Sequence, residues 1–182
     1  MEIIRREKAL NIPNLLTILR IALLPAVVWC FQKGDFAGTL GFYLAAMLTD
    51  VADGFAARRM NQITALGKIL DPIADKLFEL TLLALFASAG WIPVWVVGFS
   101  LMKEIVLLSG GAAALYNGMI VCALPVGKIS TFAFVLSAAA QFLSFHAAAD
   151  FLMSIFVLLS MVSLAWYSVA WSLSMRSKKA GV

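Results

Sequence analysis

Hydrophobic residues dominate six stretches of this chain, and polar or turn-forming residues separate them. The stretches run about Asn14–Phe31, Thr39–Arg58, Leu70–Ala89, Ile92–Tyr116, Ile129–Phe145 and Phe151–Met175. Each falls within the roughly 17–25 residues that a helix needs to cross a bilayer. The breaks lie at Gly34-Asp35, Asn61-Gln62, Gly90, Asn117-Gly118 through Pro125, and Ala147–Asp150, where turn formers and polar residues gather. The pattern predicts an all-α, polytopic membrane protein with six transmembrane helices. Ahead of them, Met1–Pro13 carries Glu2, Arg5, Arg6, Glu7 and Lys8 and reads as a short helix lying on the interface. Basic residues before an apolar run also fit a signal peptide. The run from Ile12 to Phe31 is long enough to span, however, and no small-residue cleavage site follows it, so a retained first helix is expected.

Composition supports the bilayer reading. The 182 residues are 63% hydrophobic, and mean hydropathy is +0.96. Soluble domains are about 45–50% apolar, and a soluble fold of this length has too little interior to hide the excess. One membrane domain over residues 1–182 is expected. The net charge is +4 and the pI about 9.3. Because the basic residues flank apolar segments, anionic lipids and phosphate-bearing substrates are the expected partners, and nucleic acid is not. Cys30 and Cys122 read as small hydrophobes.

Charge also orients the chain. Arg5, Arg6 and Lys8 precede the first span; Arg58, Arg59 and Lys68 join the second to the third; Lys128 opens the fifth; Arg176, Lys178 and Lys179 follow the sixth. The opposite connections hold Lys33 with Asp35, then His146 and Asp150. The positive-inside rule makes the basic side cytoplasmic and puts both termini there.

Ionisable groups in a membrane cost about 2.5–3.5 kcal/mol each on insertion scales. Yet Asp50 and Asp53 sit near the end of the second span, and Asp71, Asp75, Lys76 and Glu79 near the start of the third. Asp50 and Asp53 are i, i+3, and Asp71 and Asp75 are i, i+4, so each pair shares a helix face. A short connection lets the two helices pack antiparallel with the pairs meeting. Four carboxylates so close would repel one another, and two divalent cations would neutralise them. All-oxygen donors favour Mg²⁺ or Mn²⁺. Gly54 and Ala57 share the stripe of Asp50, Asp53 and Arg58, and Gly67 lies one turn before Asp71. Small residues admit a ligand close to the backbone, and the Arg58 fork suits phosphate oxygens. The set suggests a metal-bound diphosphate.

The stretch from Asp50 to Asp75 reads D-x-x-D-G-x-x-A-R-x8-G-x3-D-x3-D. It resembles the signature of the CDP-alcohol phosphotransferase family at Asp50, Asp53, Gly54, Ala57, Arg58, Gly67, Asp71 and Asp75. The resemblance implies that Asp50, Asp53, Asp71 and Asp75 bind two metal ions. It implies that Asp75 is also the base that deprotonates the attacking hydroxyl. It implies a CDP-lipid pocket bordered by Asp53, Gly54, Ala57, Arg58, Thr64 and Gly67, with Asn14 and Thr17 on its polar edge. The substrate class would be CDP-diacylglycerol with a small alcohol, and the active site would open to the cytoplasm and to the bilayer. A homodimer is compatible with it.

Within the family, Asp71-Pro72-Ile73-Ala74-Asp75-Lys76, Ile92-Pro93-Val94-Trp95 and Gly127-Lys128 look like phosphatidylglycerophosphate synthases, whose acceptor is glycerol 3-phosphate. Lys76, Lys103 and Lys128, with Arg20 inside the first span, could converge on that phosphate; alternatively Lys103 and Glu104 pair with helix neighbours and Lys128 snorkels. One departure stands out: Lys103-Glu104-Ile105 replaces the Arg-Glu-Phe usual in those enzymes, keeping the charge but losing the bidentate fork. A cardiolipin synthase using phosphatidylglycerol is the alternative. A small ion-coupled transporter fits poorly, because the acids cluster at one face and do not step across the bilayer.

Overall fold

The computed structural model describes residues 12–60, 67–116 and 125–179, with side chains described for 14–50, 70–111, 125–169 and 172. Six helices follow in order: α1 (Ile12–Gln32), α2 (Phe36–Met60), α3 (Gly67–Ser88), α4 (Val94–Tyr116), α5 (Pro125–Phe142) and α6 (His146–Lys179). No strand occurs among the described residues. The expected all-α, six-helix architecture is the one observed. Residues 1–11 lie outside the described residues, and with them all but the last two positions of the expected interfacial helix, Met1–Pro13. Ile12 and Pro13 open α1.

Three helices are long and apolar enough to cross a membrane by length and composition, over Asn14–Gln32, Val94–Gly111 and His146–Val169. The others carry the polar load: Asp50 on α2, five charged residues from Lys68 to Glu79 on α3, and Ser130, Thr131, Ser137 and Gln141 on α5. At about 1.5 Å per residue, the 34 residues of α6 extend about 51 Å, well beyond the roughly 30 Å hydrocarbon core.

Local chemistry sets the helix ends. Gly34 takes φ +74° after α1, and its neighbours close a Schellman cap: Gly34 N–H donates to the Phe31 carbonyl at 2.9 Å and Asp35 N–H to that of Cys30 at 3.0 Å. Asp35 then caps α2, its Oδ1 accepting from Gly38 N–H at 2.8 Å. Gly90, at φ +73°, turns the chain after α3. The expected break at Ala147–Asp150 is corrected. Three alanines favour helix there, so α6 starts at His146 and the turn falls at Leu143–Phe145, with Ser144 at φ +63°. His146, expected in an outer loop, is the first residue of α6. Pro125, counted within a break, opens α5, where a proline suits the first helical turn.

The chain forms two compact units, Met1–Ala89 and Gly90–Val182. In the first, Val27, Cys30 and Phe31 of α1 are buried, as are Tyr43 and Ala46 of α2 and Ala74, Phe78, Leu82, Leu83 and Phe86 of α3. In the second, α5 and α6 pack through small residues. Ser130 Oγ lies 2.8 Å from Ser160 Oγ and donates to the Phe156 carbonyl at 3.1 Å, while Ser137 Oγ donates to the Ala149 carbonyl at 2.8 Å.

Candidate active site

The buried faces of the first unit change character along their length. On α2 the inward stripe runs Thr39, Tyr43, Ala46 and then Asp50, at helical spacings of four, three and four. On α3 it begins with Asp71, Ala74 and Asp75 before turning apolar at Phe78. On α1 it begins with the buried polar residues Asn14, Thr17 and Arg20 and turns apolar by Val27. The start of α1, the end of α2 and the start of α3 therefore form one polar end of the unit.

Contacts at that end are specific. Thr17 Oγ1 donates to Asp71 Oδ1 at 2.6 Å. Arg20, whose side chain is 3% exposed, places Nη2 at 2.7 Å from Asp50 Oδ1 and Nη1 at 2.6 Å from Asp75 Oδ1. The Asp50 and Asp75 carboxylates are about half exposed, at 44% and 51%. A buried guanidinium thus joins acids from two helices, while the acids keep a wet side. Nearby on α3, Lys76 Nζ pairs with Glu79 Oε2 at 3.0 Å, with Glu79 buried.

This end gathers Asn14, Thr17, Asp50, Asp71, Asp75 and Lys76 from the expected site. Asp53, Gly54, Ala57 and Arg58 follow Asp50 on the same helix, and Gly67 is the first residue of α3. Their side-chain surroundings, like Thr64 altogether, lie outside the described residues. Among the described residues no three acidic, histidine or cysteine side chains stand together as a ready ligand shell. Arg20 and Thr17 hold the three acids instead. The donor chemistry still suits hard divalent cations: two carboxylates meet the Arg20 guanidinium and a third meets only the neutral Thr17 hydroxyl, which leaves negative charge in excess, and every acidic donor is an oxygen.

The remaining expected residues belong to the second unit. Lys103 and Glu104 on α4 are both buried, with Lys103 Nζ at 3.0 Å from Glu104 Oε1 and 5.3 Å from the centre of the Phe156 ring on α6. That is a cation–π contact inside the bundle. Lys128 is exposed in the first turns of α5.

Arg20, which charge alone groups with cations for the acceptor phosphate, contacts the motif acids Asp50 and Asp75. The available signal was its spacing: Asn14, Thr17 and Arg20 recur every three residues, which keeps them near one face of a helix entering the membrane.

Residues 10–171 match the family model described as CDP-alcohol phosphatidyltransferase. The chain is 32% identical over 149 residues to the CDP-diacylglycerol–glycerol-3-phosphate 3-phosphatidyltransferase of Bacillus subtilis, covering 73% of this chain and 77% of that one. It is 34% identical over 111 residues to the cardiolipin synthase (CMP-forming) of Streptomyces coelicolor, covering 58% and 52%. It spans 65% of the length of relatives from Mycobacterium tuberculosis and Mycobacterium bovis, at 33% identity over 138 residues.

Proposed function

The chain belongs to the CDP-alcohol phosphatidyltransferase family, and from that premise we propose that it transfers the phosphatidyl group of CDP-diacylglycerol to glycerol 3-phosphate, releasing CMP. The observation carrying this reading is the convergence of Asp50, Asp71 and Asp75 on Thr17 and Arg20 at one polar end of a membrane-embedded helix unit. The family match runs through both units, so we treat residues 1–182 as one catalytic domain.

The family is generally dependent on divalent metal ions. In this reading Asp50, Asp53, Asp71 and Asp75 hold two of them, Mg²⁺ or Mn²⁺. When bound they supply Lewis-acid polarisation of the diphosphate and absorb charge on the departing CMP. The chain does the rest. Arg58 grips phosphate oxygens with its fork. Gly54, Ala57 and Gly67 leave room beside the helix backbones for the nucleotide, bordered by Asp53 and Thr64. Asn14 and Thr17 line the polar edge. Asp75, fixed through Oδ1 by Arg20, takes the proton of the acceptor hydroxyl as its oxygen bonds to phosphorus and the bond to CMP breaks. Holding the hydroxyl in line with phosphorus provides much of the rate.

Lys76, Lys103 and Lys128 are the proposed cations for the acceptor phosphate, with the active site facing the cytoplasm on the basic side of the membrane. The partners in this reading are CDP-diacylglycerol, glycerol 3-phosphate and membrane lipids, and a homodimer is an assembly it permits. A second reading, cardiolipin synthesis with phosphatidylglycerol as acceptor, is favoured by one observation: the Lys103 ammonium already faces Glu104 and the Phe156 ring. An acceptor screen separates the two. The purified protein is given CDP-diacylglycerol, Mg²⁺ and either glycerol 3-phosphate or phosphatidylglycerol, and the lipid formed is identified. Phosphatidylglycerophosphate supports the first reading, and cardiolipin the second.

A further inference from the structure

The three described acids share a feature that the transfer reaction does not by itself require. Each is held from α1 through a single oxygen: Asp71 through Oδ1 by Thr17, Asp50 through Oδ1 and Asp75 through Oδ1 by Arg20. Among the described residues, no hydrogen bond or ion pair engages the second oxygen of any of them. The two holders are both buried, Thr17 at 0% and Arg20 at 2% exposure, and lie three residues apart on α1. The acids they hold come from two different helices, so α1 is the common element fixing them relative to one another.

We propose that Thr17 and Arg20 are positioning residues that clamp one oxygen each of Asp71, Asp50 and Asp75 and thereby hold these carboxylates where their second oxygens can be drawn onto an incoming divalent cation. The inference rests on the functional reading above and deepens it. Carboxylates that ligate cations are themselves held by hydrogen bonds to outer groups, and losing such groups commonly costs 10–100-fold in affinity. Arg20 is suited to the task because its planar fork offers two nitrogens at fixed spacing to two acids, which a lysine ammonium cannot reproduce. A bare Coulomb view gives the opposite sign: a guanidinium beside a cation site repels the cation, so its removal should tighten binding. The clamp outweighs this repulsion because Asp50 and Asp75 would otherwise turn apart from each other.

Mn²⁺ binding to the full chain in nanodiscs, followed by electron paramagnetic resonance without substrate, decides between them. Thr17→Val keeps the shape but loses the hydroxyl and should weaken Mn²⁺ binding about tenfold or more, while Thr17→Ser should stay within about threefold of the parent. Arg20→Gln should weaken binding similarly, and Arg20→Lys should restore only part of it. Unchanged or tighter binding in Arg20→Gln and Thr17→Val overturns the clamp. Should the Arg20 variants fail to fold, the Thr17 pair decides alone. If the parent protein itself binds no Mn²⁺, the functional reading fails; a parent that binds with variants that bind equally refutes only the clamp.

Discussion

Arg20 of α1 lies 2.6 Å from Asp75 of α3 while its other terminal nitrogen holds Asp50 of α2 at 2.7 Å. One buried side chain thus ties the second half of the acidic motif to the first. The relationship gives Asp75 a fixed orientation, which a base needs before its proton affinity matters.

Asp75→Asn keeps the size and the polar contact to Arg20 but cannot accept a proton. It should lower kcat about 10²–10⁴-fold and leave CDP-diacylglycerol affinity within a few-fold. Single-turnover CMP release alongside equilibrium lipid binding measures both, and undiminished turnover removes Asp75 as the base.

Gly54→Leu adds a branched side chain where the proposed nucleotide pocket needs an open backbone. CDP-diacylglycerol binding should weaken about tenfold or more, a loss of at least about 1.4 kcal/mol. Isothermal titration with the lipid nucleotide reads it. Normal affinity would assign Gly54 to helix packing.

Lys103→Ala removes the ammonium that now faces Glu104 and Phe156. If Lys103 serves the acceptor, the KM for glycerol 3-phosphate should rise about tenfold, in line with a charge-assisted hydrogen bond of about 1.5–3 kcal/mol. The KM for CDP-diacylglycerol should hardly move. Equal changes in both would mark Lys103 as a strut of the second unit.

Ser130→Ala deletes the hydroxyl that bonds Ser160 and the Phe156 carbonyl between α5 and α6. Interhelical hydrogen bonds in membranes average about 0.6 kcal/mol, so the melting temperature in detergent should fall by only a few degrees, with turnover at low temperature unchanged. A collapse of the fold would mean the serine ladder, and not apolar packing, holds that hairpin.

How much could be read from the sequence follows from what each feature depends on. The six helices were legible because hydrophobic runs and breakers such as Gly34 and Gly90 are local signals, and both glycines do take positive φ. The α5–α6 turn is not legible in this way: Asp150 resembles a breaker, whereas the turn depends on Ser144 adopting a left-handed conformation that its residue type does not announce. Asp71 and Asp75 announced themselves through their i, i+4 spacing. The role of Arg20 did not, because it depends on α1 packing against α2 and α3, more than 25 residues away in the chain. Pairing of Lys103 and Glu104 with helix neighbours was legible as an alternative, but that they pair with each other, with the Phe156 ring beside Lys103, needed the fold.

That these acids grip divalent cations to transfer a phosphatidyl group is tested most directly by CMP release from CDP-diacylglycerol by the purified protein with glycerol 3-phosphate or phosphatidylglycerol present. Release should stop when a chelator strips divalent ions and return on adding Mg²⁺ or Mn²⁺, with Asp71→Asn failing to recover at ordinary metal concentrations. Release that continues undiminished under chelation, or a protein that releases no CMP with either acceptor at any metal concentration, would contradict it.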